Sequence, residues 1–190
     1  ARLPALAAEL IALKVDVIVT TGTPAAVAAR NATREIPIIF TNAGDPVGSG
    51  LAASLRRPGA NGTGLSTGVA SELYTKRLDL LRQILPAMRR VGFLYQPDNI
   101  SDLPALAQFE SDCAKLGFKP LRAPMGKAEE VTAAFDLLRR DKVQGLIVTG
   151  SITNLSNASR DSIITQAANH RLPAIYLLDS DVEAGGLISY

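Results

Sequence analysis

"VDVIVTTGTPAAVAARNATREIPIIF", residues 15–40, sets a helical stretch between two apolar runs rich in β-branched residues. The run 15–20 reads as a buried strand. Residues 23–33 read as a helix with Thr23 as N-cap and Pro24 at its first position, and 36–40 as the next buried strand. Strands that are apolar throughout, each followed by a helix, predict parallel sheets covered on both faces.

The same alternation extends in both directions. Upstream, Leu3, Leu6, Leu10 and Leu13 recur at helical spacing. Downstream, "IIFTNAGDPVGSGLAASL" (38–55) starts as the buried strand and is expected to end as a helix, followed by a Pro58-Gly59 break and a short strand at 63–66. A long helix is expected over 71–85, with Tyr74, Leu78, Leu81 and Leu85 on one face. After Pro86 come strands at 91–95, near 118–122, at 145–150 and at 173–178, separated by helices at 103–117, 128–140 and 160–170. "GLISY" (186–190) reads as a last strand. The fold class is therefore α/β, with two Rossmann-like parallel-sheet lobes. The expected boundaries are 1–68 for an N-terminal lobe, 69–90 for a crossover helix, 91–184 for a C-terminal lobe and 185–190 for a last strand.

Composition narrows the function. The chain has 190 residues, 47% of them apolar, enough for a substantial core. Its 20 basic and 18 acidic residues leave a net charge of +2, without a run of like charge suggesting a nucleic-acid stripe or membrane patch. The single cysteine, Cys113, rules out an internal disulfide and any multi-cysteine metal site. No stretch approaches the roughly 20 apolar residues needed to span a bilayer.

Parallel sheets bind ligands outside the carboxyl ends of their strands, where helix N-termini present free N–H groups. Those ends are small, hydroxylated, amide-bearing or acidic: Thr21, Gly22 and Thr23 after the first strand; Asn42, Ala43, Gly44 and Asp45 after the second; Asp98 and Asn99 in "QPDNIS"; Thr149 and Ser151 around "GSITN"; and Asp179 in "DSD". Each has a structural alternative. Thr23 can serve only as a helix cap, and Asp45 can bond its own backbone in a turn.

"GSGLAA" (48–53) fits the Gly-x-Gly-x-x-Ala form of a dinucleotide fingerprint, but seven residues including Pro46 separate it from Phe40, whereas that motif should follow its strand directly. His170, the only histidine, is expected at a helix end, and Cys113 in a helix core. No catalytic residues, metal ligands or cofactor are assigned.

The runs "GDPVGSGL", "RPGANGTGLS" and "LPAIY" with "AGGLISY", together with "KRLDLLRQILPAMRRVGFLYQPDN", resemble the substrate-binding proteins of ABC importers in the tryptophan/tyrosine transport group, over essentially the whole chain. The resemblance implies the two-lobed type I periplasmic binding protein fold, closing on a small ligand and working with an ABC permease in the membrane. It implies an amino-acid-like ligand, with its carboxylate on Thr21, Thr23 and Asn42–Asp45. The loops with Tyr95 to Asn99, Thr149 to Ser151 and Asp179 would hold its ammonium group and side chain. It further implies that the first lobe (1–68) is partial, that 69–90 holds a hinge and that 185–190 is a return crossover strand. A periplasmic or lipid-anchored extracellular location is also implied, with strands and helices missing at both ends, and an open strand edge in the first lobe through which an oligomer could form. Two other classes stay open: the effector-sensing domain of a transcriptional regulator, and a nucleotide-binding α/β enzyme.

Overall fold

The computed structural model describes residues 2–67, 70–153 and 156–190. The chain divides into two compact units, residues 1–70 and 71–190. Gly68 and Val69, at the expected boundary between the first lobe and the hinge, and Asn154, within "GSITN", lie outside the described residues.

The first unit opens with helix α1 (Leu3–Ala12), strand β1 (Ile18–Thr21), helix α2 (Thr23–Ala32) and strand β2 (Ile38–Ala43), followed by strand β3 (Gly62–Ser66). The strands form a parallel sheet in the order β1-β2-β3, with Ile18 opposite Ile38 and Ile38 opposite Gly62. One face packs on α2: Ala26 and Ala29 meet Ile18, Ile38 and Phe40, and Leu51 folds back onto Phe40 and Ala43. The other face leaves Val19 63%, Ile39 41% and Leu65 72% exposed, so these strands are not apolar-covered on both sides as their composition predicts.

Two local expectations need correction. The strand expected at the start of 38–55 is β2, but residues 44–55 form turns and bends where a helix was expected. Asp45 takes over the local N–H groups: its carboxylate accepts from Gly48 N–H at 2.8 Å and its carbonyl from Ser49 N–H at 2.9 Å. The Gly-x-Gly sequence thus lacks the helix that a dinucleotide fingerprint requires. Thr23 is also not the cap of α2. That position belongs to Gly22, whose φ of 78° is in the range glycine tolerates best, and Thr23 is already inside the helix.

The second unit begins with α3 (Ala70–Ile84), which crosses the boundary by one residue, and continues through β4 (Arg90–Tyr95), α4 (Asp102–Leu116), β5 (Lys119–Pro124), a 3₁₀ turn at 128–130, α5 (Val131–Arg140) and β6 (Gly145–Val148). Then come α6 (Gly150–Thr153), α7 (Asn157–Asn169), β7 (Ala174–Tyr176), α8 (Asp179–Glu183) and β8 (Ile188–Ser189). The short helices α6 and α8 were not foreseen, being too brief to show a period. The five strands form one parallel sheet in the order β5-β4-β6-β7-β8.

Helices cover both faces of this sheet. On one, Phe93 stacks on Phe109 of α4 at 4.8 Å and meets Tyr74 of α3 edge-on at 5.2 Å. On the other, Leu94, Leu146, Val148 and Tyr176 pack against Phe135 and Leu138 of α5 and Ile163 of α7. Cys113 is fully buried in α4, and burial pushes its thiol up to about 12. His170 caps the C-terminal end of α7, its ring stacked on Phe135 at 5.9 Å. Among the described residues no helix is long and apolar enough to cross a membrane.

Candidate functional site

Each unit gathers its polar loops at the carboxyl ends of its strands. In the first unit, β1 and β2 are tied at that end. Gly22 N–H donates to Thr41 O at 3.0 Å, and Thr41 Oγ1 donates to Thr20 O at 3.3 Å. Thr23 is buried, and its Oγ1 accepts from Gly44 N–H at 2.9 Å. The threonine that the sequence suggested as a cap therefore links the start of α2 to the end of β2.

Strand β2 also bends here. Its pairing with β3 shifts between Phe40 and Ala43, and Asn42 adopts a left-handed φ of 58°. Irregular pairing of this kind re-aims side chains at the rim of a sheet, and Asn42 is exposed. Ala43 is fully buried and contributes only backbone, its carbonyl accepting from Thr67 N–H and Oγ1, while the Gly44 carbonyl accepts from Ser66 Oγ. The fold brings Thr21, Gly22, Thr23, Asn42, Gly44 and half-buried Asp45 to one end of the sheet. Asp45 already holds a turn, as its structural alternative foresaw.

In the second unit, the organising residue is one the sequence did not single out. Asp102, the first residue of α4, is 4% exposed. Its Oδ2 accepts from Gln96 N–H at 2.8 Å, from Thr149 Oγ1 at 3.0 Å and from Ser151 Oγ. Thr149 and Ser151 share a further hydrogen bond of 2.8 Å. One carboxylate thus holds together the loops that follow β4 and β6. Burial holds its pKa above the usual carboxylate range against the opposing pull of these donors. The signal that could have found it is an acidic residue in the first turn of a helix, at a strand's carboxyl end.

The remaining expected residues lie at or after the carboxyl ends of β4 and β7. Tyr95 is buried next to Phe93, with its carbonyl accepting from Met125 N–H. Asn99 shapes the loop by accepting from Ser101 N–H at 2.9 Å, while Asp98 is exposed. Asp179 is exposed and accepts from Ser189 Oγ at 2.8 Å. The buried acid of that segment is Asp181, which accepts from Leu178 N–H at 3.2 Å, and burial raises its pKa as well. Among the described residues no cluster of histidine, cysteine or acidic side chains could hold a metal ion.

Parallel sheets with helices between the strands and polar loops at the strands' carboxyl ends make an α/β fold of the kind found in type I periplasmic binding proteins. Residues 1–190 match the family of ABC transporter substrate binding proteins, and the chain belongs to that family. A curated relative is the tyrosine-binding protein of Clostridioides difficile (strain R20291), 29% identical over 182 residues, which are 96% of this chain and 51% of the relative. Among solved structures, a conserved domain protein from Vibrio cholerae is 29% identical with a TM-score of 0.84, covering 98% of this chain and 62% of that one. An ABC domain from Streptococcus pneumonia in complex with L-Trp superposes at a TM-score of 0.83 over 99% of this chain and 63% of its own, and at 24% identity that likeness concerns the fold. The chain thus spans about half the length of the curated relative.

Proposed function

We propose that this chain is the ligand-binding part of a solute receptor serving an ABC importer outside the cytoplasmic membrane, and that its ligand is an amino acid, with an aromatic one favoured by the tyrosine-binding relative. The observation that carries the proposal is the match to the substrate-binding family over residues 1–190. The polar strand ends of both units support it.

The first unit suits the ligand carboxylate. The N-terminal turn of α2 offers backbone N–H groups and a partial positive charge, each such contact worth about 0.3–1 kcal/mol. Thr21 and Asn42 add side-chain donors. The second unit suits the ammonium group and side chain, with Asp98, Asp179 and the Asp102-tethered hydroxyls as acceptors and Tyr95, at the end of β4, as an aromatic contact. Micromolar affinity needs only about 8 kcal/mol net, within reach of a few charge-assisted hydrogen bonds plus a buried side chain.

The test is thermal unfolding of the protein against a panel of amino acids and aromatic carboxylates. A true ligand at 100 times its Kd adds about 2.7 kcal/mol. L-tyrosine or L-tryptophan should raise Tm, and Asp45→Ala with Asp179→Ala should reduce that rise. A panel in which no amino acid moves Tm, tested also on a longer version of the protein, would overturn the proposal.

A further inference from the structure

The charges of the second unit are not spread as evenly as the sequence suggests. A cavity of about 250 Å³ lies at the amino ends of β4 and β5, the pole opposite the loops described above. Arg90, Lys119, Arg140 and Lys142 line it, with Asp141 as the only carboxylate. Arg90 opens β4, Lys119 opens β5, and the other two bracket the end of α5, so three separate parts of the sequence supply the cations. The whole chain carries only +2. Four cations to one carboxylate around a single cavity is therefore a strong local excess.

Internal partners do not absorb this charge. Asp141 is engaged by Arg140 Nε at 3.3 Å, and Arg90 gives one N–H to the Asp141 carbonyl at 2.8 Å. Among the described residues, neither Lys119 nor Lys142 has an ion-pair partner. Cations at a helix C-terminus complement its free carbonyls. That accounts for Arg140 and Lys142 at the end of α5, but not for Lys119, which lies on a strand. Pro120, Leu121 and Val143 complete its lining. A second cavity, of about 560 Å³, shares Val143 and is walled by Phe135, Leu138, Leu172, Arg139 and Arg171.

We infer that this pole is a second binding site, for a phosphate-bearing anion. Two arginine forks and two lysines match a group with two or more negative charges and several acceptor oxygens better than a lone carboxylate, which the same donors would overcompensate. The volume is small for an organic ligand of drug size and suits a phosphate group or headgroup. The inference is independent of the amino-acid proposal, because it uses none of the same residues.

The experiment titrates the 190-residue protein with inorganic pyrophosphate at low and moderate salt, following backbone amide resonances, and in a second arm measures co-sedimentation with phosphatidylglycerol and phosphatidylcholine vesicles. Saturable shifts confined to residues 90, 119–121 and 140–143 are expected, and Lys119→Ala with Lys142→Ala should weaken binding about tenfold. Both side chains are exposed, so the variant should keep the parent's Tm and any amino-acid-induced rise in it. Sedimentation with phosphatidylglycerol alone, lost in the variant, would identify a lipid headgroup as the source. Pyrophosphate shifts without sedimentation would identify a free phosphate compound. Shifts that spread over all lysines without saturating, or binding undiminished in the variant, together with no vesicle binding, would overturn the inference.

Discussion

Strands β2 and β4 are both six residues long and both paired on two sides in a parallel sheet, yet they bury their side chains differently. β4 buries five in a row, Val91 to Tyr95, whereas β2 alternates, burying Ile38, Phe40 and Ala43 and leaving Ile39 and Asn42 exposed. The cause lies around them. α3 and α4 cover one face of β4 and α5 and α7 the other, while β2 has α2 on one face only. An apolar run is thus a necessary sign of two-sided burial but not a sufficient one. The second unit should be the more stable of the two, because a buried side chain contributes only where atoms meet it on all sides.

The largest expected effect tests that core. Phe93→Ala removes the ring shared by Tyr74 and Phe109 and should cost about 3–5 kcal/mol. Hydrogen exchange would check it, with protection lost across β4, β6 and β7. If the parent protein's β1 and β2 amides exchange more slowly than those of β4, the comparison itself fails.

Next come the two aspartates that organise loops. Asp102→Ala removes the acceptor of a half-buried backbone N–H and leaves the Thr149 and Ser151 hydroxyls only each other, and should cost about 1–3 kcal/mol, read from urea unfolding. Asp45→Ala removes one acceptor from an exposed turn and should cost less than about 1 kcal/mol. Equal losses would mean that burial does not separate them.

Smaller, but with a defined sign, is the pH dependence. The carboxyl groups of Asp102 and Asp181 are raised by burial, so the folded state holds their protons at a pH where the unfolded chain has released them. Their contribution is greatest below the ordinary carboxylate pKa and is lost as pH rises through the raised folded values. Glu110, lowered by its hydrogen bonds with Arg122, works in the opposite direction. Asp102→Asn should flatten the fall in second-unit stability with rising pH, and an unchanged slope would exclude Asp102 as a source.

Least costly should be Val19→Thr. The side chain is 63% exposed on the uncovered face of the first sheet, and the change should stay within about 0.5 kcal/mol.

Much of the fold could be read from the sequence, because period and punctuation are local. The apolar runs became strands, and Tyr74, Leu78 and Leu81 became the buried face of α3 as their spacing predicts. Residues 44–55 misled because Asp45 caps a turn as it would a helix, but helical pairing ends at Gly50, whose N–H goes to Val47 O and whose φ is 72°. Asp102 was missed for a different reason. Its role depends on Thr149 and Ser151, more than 45 positions away, and no local pattern records such a pairing. The basic pole was invisible likewise, because its cations converge only when β4, β5 and α5 are in place.

The burial of Cys113 has a practical consequence. A thiol with no accessible surface, held almost wholly protonated at neutral pH, is a poor nucleophile toward maleimide dyes. A cysteine introduced at exposed Asp98 would then be the only reactive thiol, so a single fluorophore could be placed at a loop tip without first removing the native one.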